Sequence, residues 1–285
     1  MALLSRRSRP MIRFRLPLQR LFQGERAAAL LTMSMSTTSH LERTAEESRE
    51  PVIADATIVR TEYLTPTTKL LKLTVETPEF DFLPGQWVDF LPPGLETVGG
   101  YTIVTSPGDL PQLDLAVKKS RNEVAVWCHS EEKAVPGTRV QVRAGGSFAL
   151  SEPLAGKHLF VAGGVGINPI YSMLRHQTQL PNAPTGSLTL LYSASSLAEL
   201  CFKNELEALA NAGALDLRIV YFITREEAGS GEDNYMRRRI ARHDLQEHAF
   251  QHGSTVTVCG PPPLTDWVIE ECEASKTQVN FERWW

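Results

Sequence analysis

Between residues 51 and 150 the apolar positions come in short runs rich in β-branched and aromatic side chains. Runs at 52–63, 67–75, 86–91, 101–105, 113–118 and 138–143 predict six strands. Turn chemistry separates them, at Leu83-Pro84-Gly85, Pro92-Pro93-Gly94, Ser106-Pro107-Gly108 and Val135-Pro136-Gly137. The stretch Leu70-Leu71-Lys72-Leu73-Thr74-Val75 partly alternates, as a strand buried on one face should. One helix is predicted over 122–132. Six strands at this spacing predict a small antiparallel β-barrel.

Past residue 157 the rhythm becomes strand, helix, strand. Strands are predicted at 158–162, 187–193, 215–224, 255–259 and 278–281. Between them, Ile167, Ile170, Tyr171 and Leu174 share one helical face, as do Phe202, Leu206 and Leu209, and then Leu264, Val268 and Cys272. Alternating strands and helices predict a doubly wound α/β domain on a five-stranded parallel sheet. The expected organisation is a leader over 1–48, a barrel domain over 50–153 and a nucleotide-type domain over 154–285.

Composition narrows the classes. The chain has 285 residues, 42% hydrophobic, enough for two domains with their own cores. Its 29 basic and 33 acidic side chains leave a net charge of −4, against the basic stripe a nucleic-acid binder needs. No apolar run approaches the roughly 20 residues of a membrane-spanning helix. The cysteines, Cys128, Cys201, Cys259 and Cys272, form no C-x-x-C pair, so reduced thiols are expected and no metal site. Charge is unevenly spread: Arg6, Arg7, Arg9, Arg13, Arg15 and Arg20 precede the first acidic residue, Glu25, and a Ser/Thr cluster follows. That is the composition of a mitochondrial transit peptide, with the matrix as destination; a basic tail without an address is the other reading.

Candidate chemistry gathers in the second half. The strand at 158–162 runs directly into Gly163, Gly164, Val165, Gly166, Ile167, Asn168 and Pro169 and then into a helix. Glycines let a diphosphate approach the backbone, helix amides point at the anion, and Pro169 suits an early helical position. After the fourth strand comes Val258-Cys259-Gly260-Pro261-Pro262-Pro263. In an open α/β sheet these two turns should meet at the carboxyl ends of adjacent strands, where ligands bind. Cys259 is either a buried filler or a contact to a reacting ring. The chain closes on Phe281-Glu282-Arg283-Trp284-Trp285, adjacent indoles that a stacked planar cofactor would explain. No P-loop and no serine-nucleophile elbow occurs.

Over 51–285 these features resemble the ferredoxin–NADP reductase family of flavoproteins. The resemblance implies a flavin on the barrel (FAD, with FMN as alternative), a nicotinamide dinucleotide on the second domain, and hydride transfer between them. By it, Tyr101 would stack on one flavin face, Thr102 would hydrogen-bond near N5, and Val117 and Lys118 would meet the pyrimidine edge through their backbone. Cys259 would sit beside the reacting nicotinamide carbon. Glu282 would precede Trp284 at the family's spacing, and Trp284 would cover the other flavin face and move aside for nicotinamide. Gly163 to Pro169, with Gly260 and Pro261, would hold the dinucleotide.

Two departures stand out. The family's phosphate-neutralising Arg is replaced by Gly99, and its Gly-x-x-Ser helix start by Asn122-Glu123-Val124-Ala125. Free helix amides near Asn122, with Lys119 or Arg121, are the expected substitutes. Thr224 and Arg225 partly match a pair that selects NADP(H), but Glu226, Glu227 and Asp233 bring negative charge, so the reading leans to NAD(H) with NADP(H) open. The chain is expected to be a mitochondrial NAD(P)H-dependent flavoprotein oxidoreductase whose electron acceptor is external. The alternative is a catalytically silent NAD(H)-binding sensor or assembly protein on the same fold.

Overall fold

The computed structural model describes residues 39–150, 152–181, 186–226, 235–248 and 254–283. The expected leader up to residue 38, together with Glu227, Asp233 and Trp284, lies outside them. A short capped helix, His40–Arg43 (α1), leads into the barrel strands Ala54–Thr65 (β1), Thr68–Val75 (β2), Trp87–Leu91 (β3), Gly99–Thr102 (β4), Gln112–Lys118 (β5) and Arg139–Gly145 (β6). They form an antiparallel sheet in the order β4-β3-β6-β1-β2-β5. The run at 101–105 is divided between two partners. It pairs with β3 as far as Thr102, then crosses to β5, where Ile103 bridges Leu115 and Val104 N–H donates to Asp114 O at 3.0 Å. That crossing joins the two ends of the sheet. The helix Glu123–His129 (α2) is shorter than its predicted 122–132. It packs Val124, Trp127 and Cys128 onto a core that includes Ile58, Leu71, Phe90 and Leu115.

The second domain runs Lys157–Gly163 (β7), Ile167–Gln179 (α3), Ser187–Ala194 (β8), Lys203–Asn211 (α4), Asp216–Ile223 (β9), Tyr235–Met236 (β10), Arg242–His248 (α5), Ser254–Cys259 (β11), Pro262–Ser275 (α6) and Gln278–Glu282 (β12). All strands are parallel, in the order β10-β9-β8-β7-β11-β12. The sheet thus has six strands where five were expected. The sixth is β10, two residues beside β9, too short to carry a periodic signal. Residues of β7 alternate between the two faces: Phe160 and Ala162 join α3 and α4, while Leu159 and Val161 join α5 and α6.

Helix α3 lies between sheet and barrel and is buried almost all round. Its polar groups are therefore bonded across the boundary. Asn168 Nδ2 donates to Ala116 O at 3.0 Å, and Ser172 Oγ donates to Thr105 O at 2.6 Å. Leu70, Val104 and Ala116 of the barrel pack into the same core as Ile167, Ile170 and Tyr171.

Outside the barrel, residues 39–49 are held by a buried carboxylate. Asp89 Oδ1 is 2.9 Å from His40 Nε2, and Asp89 Oδ2 accepts from Arg49 Nε (2.9 Å) and from Arg143 Nε and Nη2 (3.0 and 2.6 Å). The His40 ring stands edge-on to Trp87 with 4.8 Å between centroids. The packed body therefore begins ahead of the boundary at 48–50 suggested by composition.

His158, at the start of β7, is buried against Phe160, with Nε2 2.8 Å from Thr257 Oγ1. Burial pushes its pKa down to about 4. The unfolded chain protonates near pH 6.5 and the folded one resists until about pH 4, so stability is full above pH 6.5 and falls between those values. The span corresponds to about 3 kcal/mol. Urea titrations at pH 7 and 4.5 should record the loss, and His158→Gln should flatten it; an unchanged slope would refute the assignment.

Candidate functional site

The carboxyl ends of the central strands form one edge. Ala162 of β7, Cys259 of β11 and Glu282 of β12 stand in register as neighbours. Between β7 and β11 the strand order reverses, since the chain leaves β7 toward β8 and returns to its other side as β11. The two sequence-predicted turns meet there. A Cβ on Gly166 would overlap the Cys259 carbonyl oxygen, and one on Gly163 would lie 2.6 Å from Pro261 and 2.8 Å from Leu264. These glycines are demanded by packing of one turn on the other. Gly164 differs: φ is +56°, and among the described residues nothing lies within 4 Å of the place a Cβ would take. It opens the turn that leads into α3, whose N-terminus carries no side-chain cap.

Cys259 is buried, and Asn168 Oδ1 is buried with no hydrogen-bond partner among the described residues. Farther along the edge, Thr224 and Arg225 continue beyond β9, their N–H groups donating to Ala194 O and Ser195 O, each at 3.0 Å. Glu226 accepts from Leu197 N–H at 3.0 Å and lies 3.7 Å from Arg237, so the neighbourhood of Arg225 already contains a fixed carboxylate. Lys203 belongs to no motif in the sequence, yet it puts its ammonium 5.9 Å from the ring centroids of both Tyr221 and Tyr235.

On the barrel side, Asn168 ties the glycine turn to Ala116, next to Val117 and Lys118. The Val117 side chain is in the barrel core, and its carbonyl accepts from His129 Nε2 at 3.0 Å. Lys118 is exposed, 3.7 Å from Glu199. Thr102 is buried and pairs with Trp87. Tyr101 is half-buried; its ring meets Phe90 edge-on at 5.9 Å and its hydroxyl pairs with the Cys128 thiol. Burial there pushes the Tyr101 pKa up, and pushes that of Cys128 up to about 12.

The residues fit two ligand groups unequally. A dinucleotide diphosphate finds an open glycine, a thirteen-residue helix with no side-chain cap whose first amide, Ile167 N–H, donates to Gly164 O, and a first turn free of acidic side chains. A flavin phosphate does not find its counterpart. A Cβ on Gly99 would lie 2.8 Å from both the Tyr101 ring and the Val124 side chain, so the place of the family's Arg is filled. The amides expected to be free at α2 are taken: Asn122 Oδ1 accepts from Val124 N–H (3.0 Å) and Ala125 N–H (3.3 Å). Glu123 stands in that turn, accepting from Thr97 Oγ1 at 2.6 Å, and Lys119 and Arg121 occupy solvent-exposed positions.

Residues 160–269 match the family model of the oxidoreductase NAD-binding domain. The chain is 34% identical over 271 residues to oxidoreductase NAD-binding domain-containing protein 1 of Pongo abelii, covering 88% of this chain and 86% of that one. Among solved structures it resembles the Amycolatopsis cytochrome P450 reductase, with TM-score 0.71, 19% identity and coverage of 83% of this chain and 71% of that chain. It also resembles the cytochrome b5 reductase domain of Ulva prolifera nitrate reductase, with TM-score 0.64, 20% identity and coverage of 80% and 97%. The expected two-domain architecture, barrel followed by doubly wound sheet, is the fold shared with these structures.

Proposed function

The chain belongs to the family of oxidoreductase NAD-binding domain-containing protein 1, and from that premise we propose that it is an NAD(H)-dependent oxidoreductase that passes reducing equivalents to an external acceptor. The observation that carries the reading is Gly164, open on its Cβ side among the described residues at the sheet's switch point and followed by the start of α3, which has no side-chain cap. The nicotinamide supplies the hydride when bound; the protein supplies placement and exclusion of water.

In this reading the Gly163–Pro169 turn binds the diphosphate through backbone N–H groups. Gly260 and Pro261 wall the opposite side, and buried Cys259 gives the ring an apolar neighbour. The unpaired Asn168 Oδ1 is the acceptor for a hydroxyl or amide donor of the dinucleotide. Glu226 beside Arg225, only partly offset by Arg237, adds negative charge where a 2′-phosphate would need the opposite and supports NAD(H) over NADP(H). The similar P450 and cytochrome b5 reductases named above support a reductase whose acceptor is another molecule. The Arg-rich segment before Glu25 supports a mitochondrial matrix address.

Calorimetry on the full chain should give tighter binding of NADH than of NADPH, and with free flavin added to take the hydride and hand on single electrons, NADH should reduce ferricyanide faster in its presence. Absence of NADH binding would end the reading. The closed phosphate face of the barrel favours a second one, a nucleotide sensor, which binding without any electron transfer would select.

A further inference from the structure

The barrel face that carries Tyr101 is built in a way that bears on which flavins this chain can recognise. An anion site needs a cation or uncommitted N–H donors; here Gly99 brings no cation, the second to fourth amides of α2 are committed, and Lys119 and Arg121 stand at solvent-exposed positions. Gly99 has no side chain, and none fits, because the Tyr101 ring and Val124 occupy the volume. The ring is held in that position by Phe90 on one side and by the Cys128 thiol at its hydroxyl. Two amides of α2 are satisfied by the Asn122 side chain, and a third, Val126 N–H, by the Asn122 carbonyl. The helix has seven residues, so little dipole stands behind them. Ala125 is buried and offers no hydroxyl. Glu123, fixed by Thr97, adds a negative charge where a phosphate would bring another.

We infer that this chain does not discriminate flavins by phosphate: it retains no FAD or FMN as a resident group, and any flavin that meets the nicotinamide is a diffusible molecule recognised by its ring alone, with riboflavin, FMN and FAD equivalent. The inference rests on the reading of the chain as an NAD(H)-dependent oxidoreductase and names the class of ring molecule that reading leaves open. A built phosphate site contributes one or more charge-assisted hydrogen bonds, which would favour FMN or FAD over riboflavin by about tenfold to a hundredfold. Without it the three affinities should agree within about threefold.

The test is a fluorescence titration of the purified full chain with riboflavin, FMN and FAD in turn, beside a separate NADH titration by calorimetry. Expected are a protein that emerges from gel filtration without flavin and three similar dissociation constants. Retained FAD, or FMN or FAD bound about tenfold more tightly than riboflavin, would overturn the inference. So would the failure of all three flavins to bind while NADH binds. A chain that binds flavin rings but not NADH would instead leave the flavin inference standing and remove the oxidoreductase reading beneath it.

Discussion

Replacing Asp89 with alanine should destabilise the folded chain by about 3–5 kcal/mol, the usual cost of removing one member of a buried ionic cluster. The carboxylate is 1% exposed and satisfies three side chains from three separate segments: His40 in α1, Arg49 in the approach to β1 and Arg143 in β6. Without it Arg49 and Arg143 stand close together with their shared counter-charge gone, and residues 39–49 lose their buried anchor to the barrel. Burial alone would raise the Asp89 pKa, but hydrogen bonds from His40, Arg143 and Arg49 outweigh it and hold it at about 2. Its contribution is therefore complete above the unfolded value near pH 4 and is lost as pH falls toward 2. Urea midpoints of wild type and Asp89→Ala should converge on acidification through that window. A chain starting at residue 50 should lose a large part of the same stability, since it lacks both His40 and Arg49. A loss below about 1 kcal/mol at neutral pH would place the cluster in the range of ordinary surface pairs and refute its anchoring role.

That cluster was invisible in the sequence because its partners are scattered; His40 and Asp89 are 49 positions apart. Local patterns were readable wherever a single environment acts on a segment. The strands at 67–75 and 187–193 follow from β-branched and apolar runs, and the glycine turn falls at the end of β7 as expected because strand, turn and helix are contiguous. Legibility failed where tertiary contacts impose a second environment. Leu70 and Leu71 break the alternation of β2 because Leu71 faces the barrel core while Leu70 is covered by the second domain. Asn122 suggested helix amides available to a ligand, yet an Asn at that position is itself the best acceptor for them. Composition assigned residues 39–48 to a leader, although His40 is buried in the barrel's packing. Which glycines of the turn are demanded by packing could not be told from spacing, since the neighbours that decide it come from β11 and α6.

The glycine turn supplies the strongest functional test because two positions two residues apart should fail differently. Gly166→Ala forces a methyl group into the Cys259 carbonyl; Gly166 closes the turn that leads into α3 and Cys259 ends β11, so the clash is with backbone. It cannot be relieved without moving the start of α3 against β11, so this variant should lower the melting temperature and lose NADH binding together. Gly164→Ala puts a methyl group into open space at φ +56°. The left-handed conformation costs a non-glycine residue about 1–2 kcal/mol, so the fold should survive with a modest shift. A diphosphate lying against that backbone would be pushed away by roughly a methyl radius, enough to lengthen the N–H···O bonds on which binding depends. Losing one or two such charge-assisted bonds corresponds to about a tenfold to a hundredfold weaker NADH affinity. Calorimetric NADH titration and thermal unfolding of both variants separate the cases. If Gly164→Ala binds NADH as the wild type does while remaining folded, the dinucleotide does not pass over this turn, and the assignment of the switch point as its site fails with it.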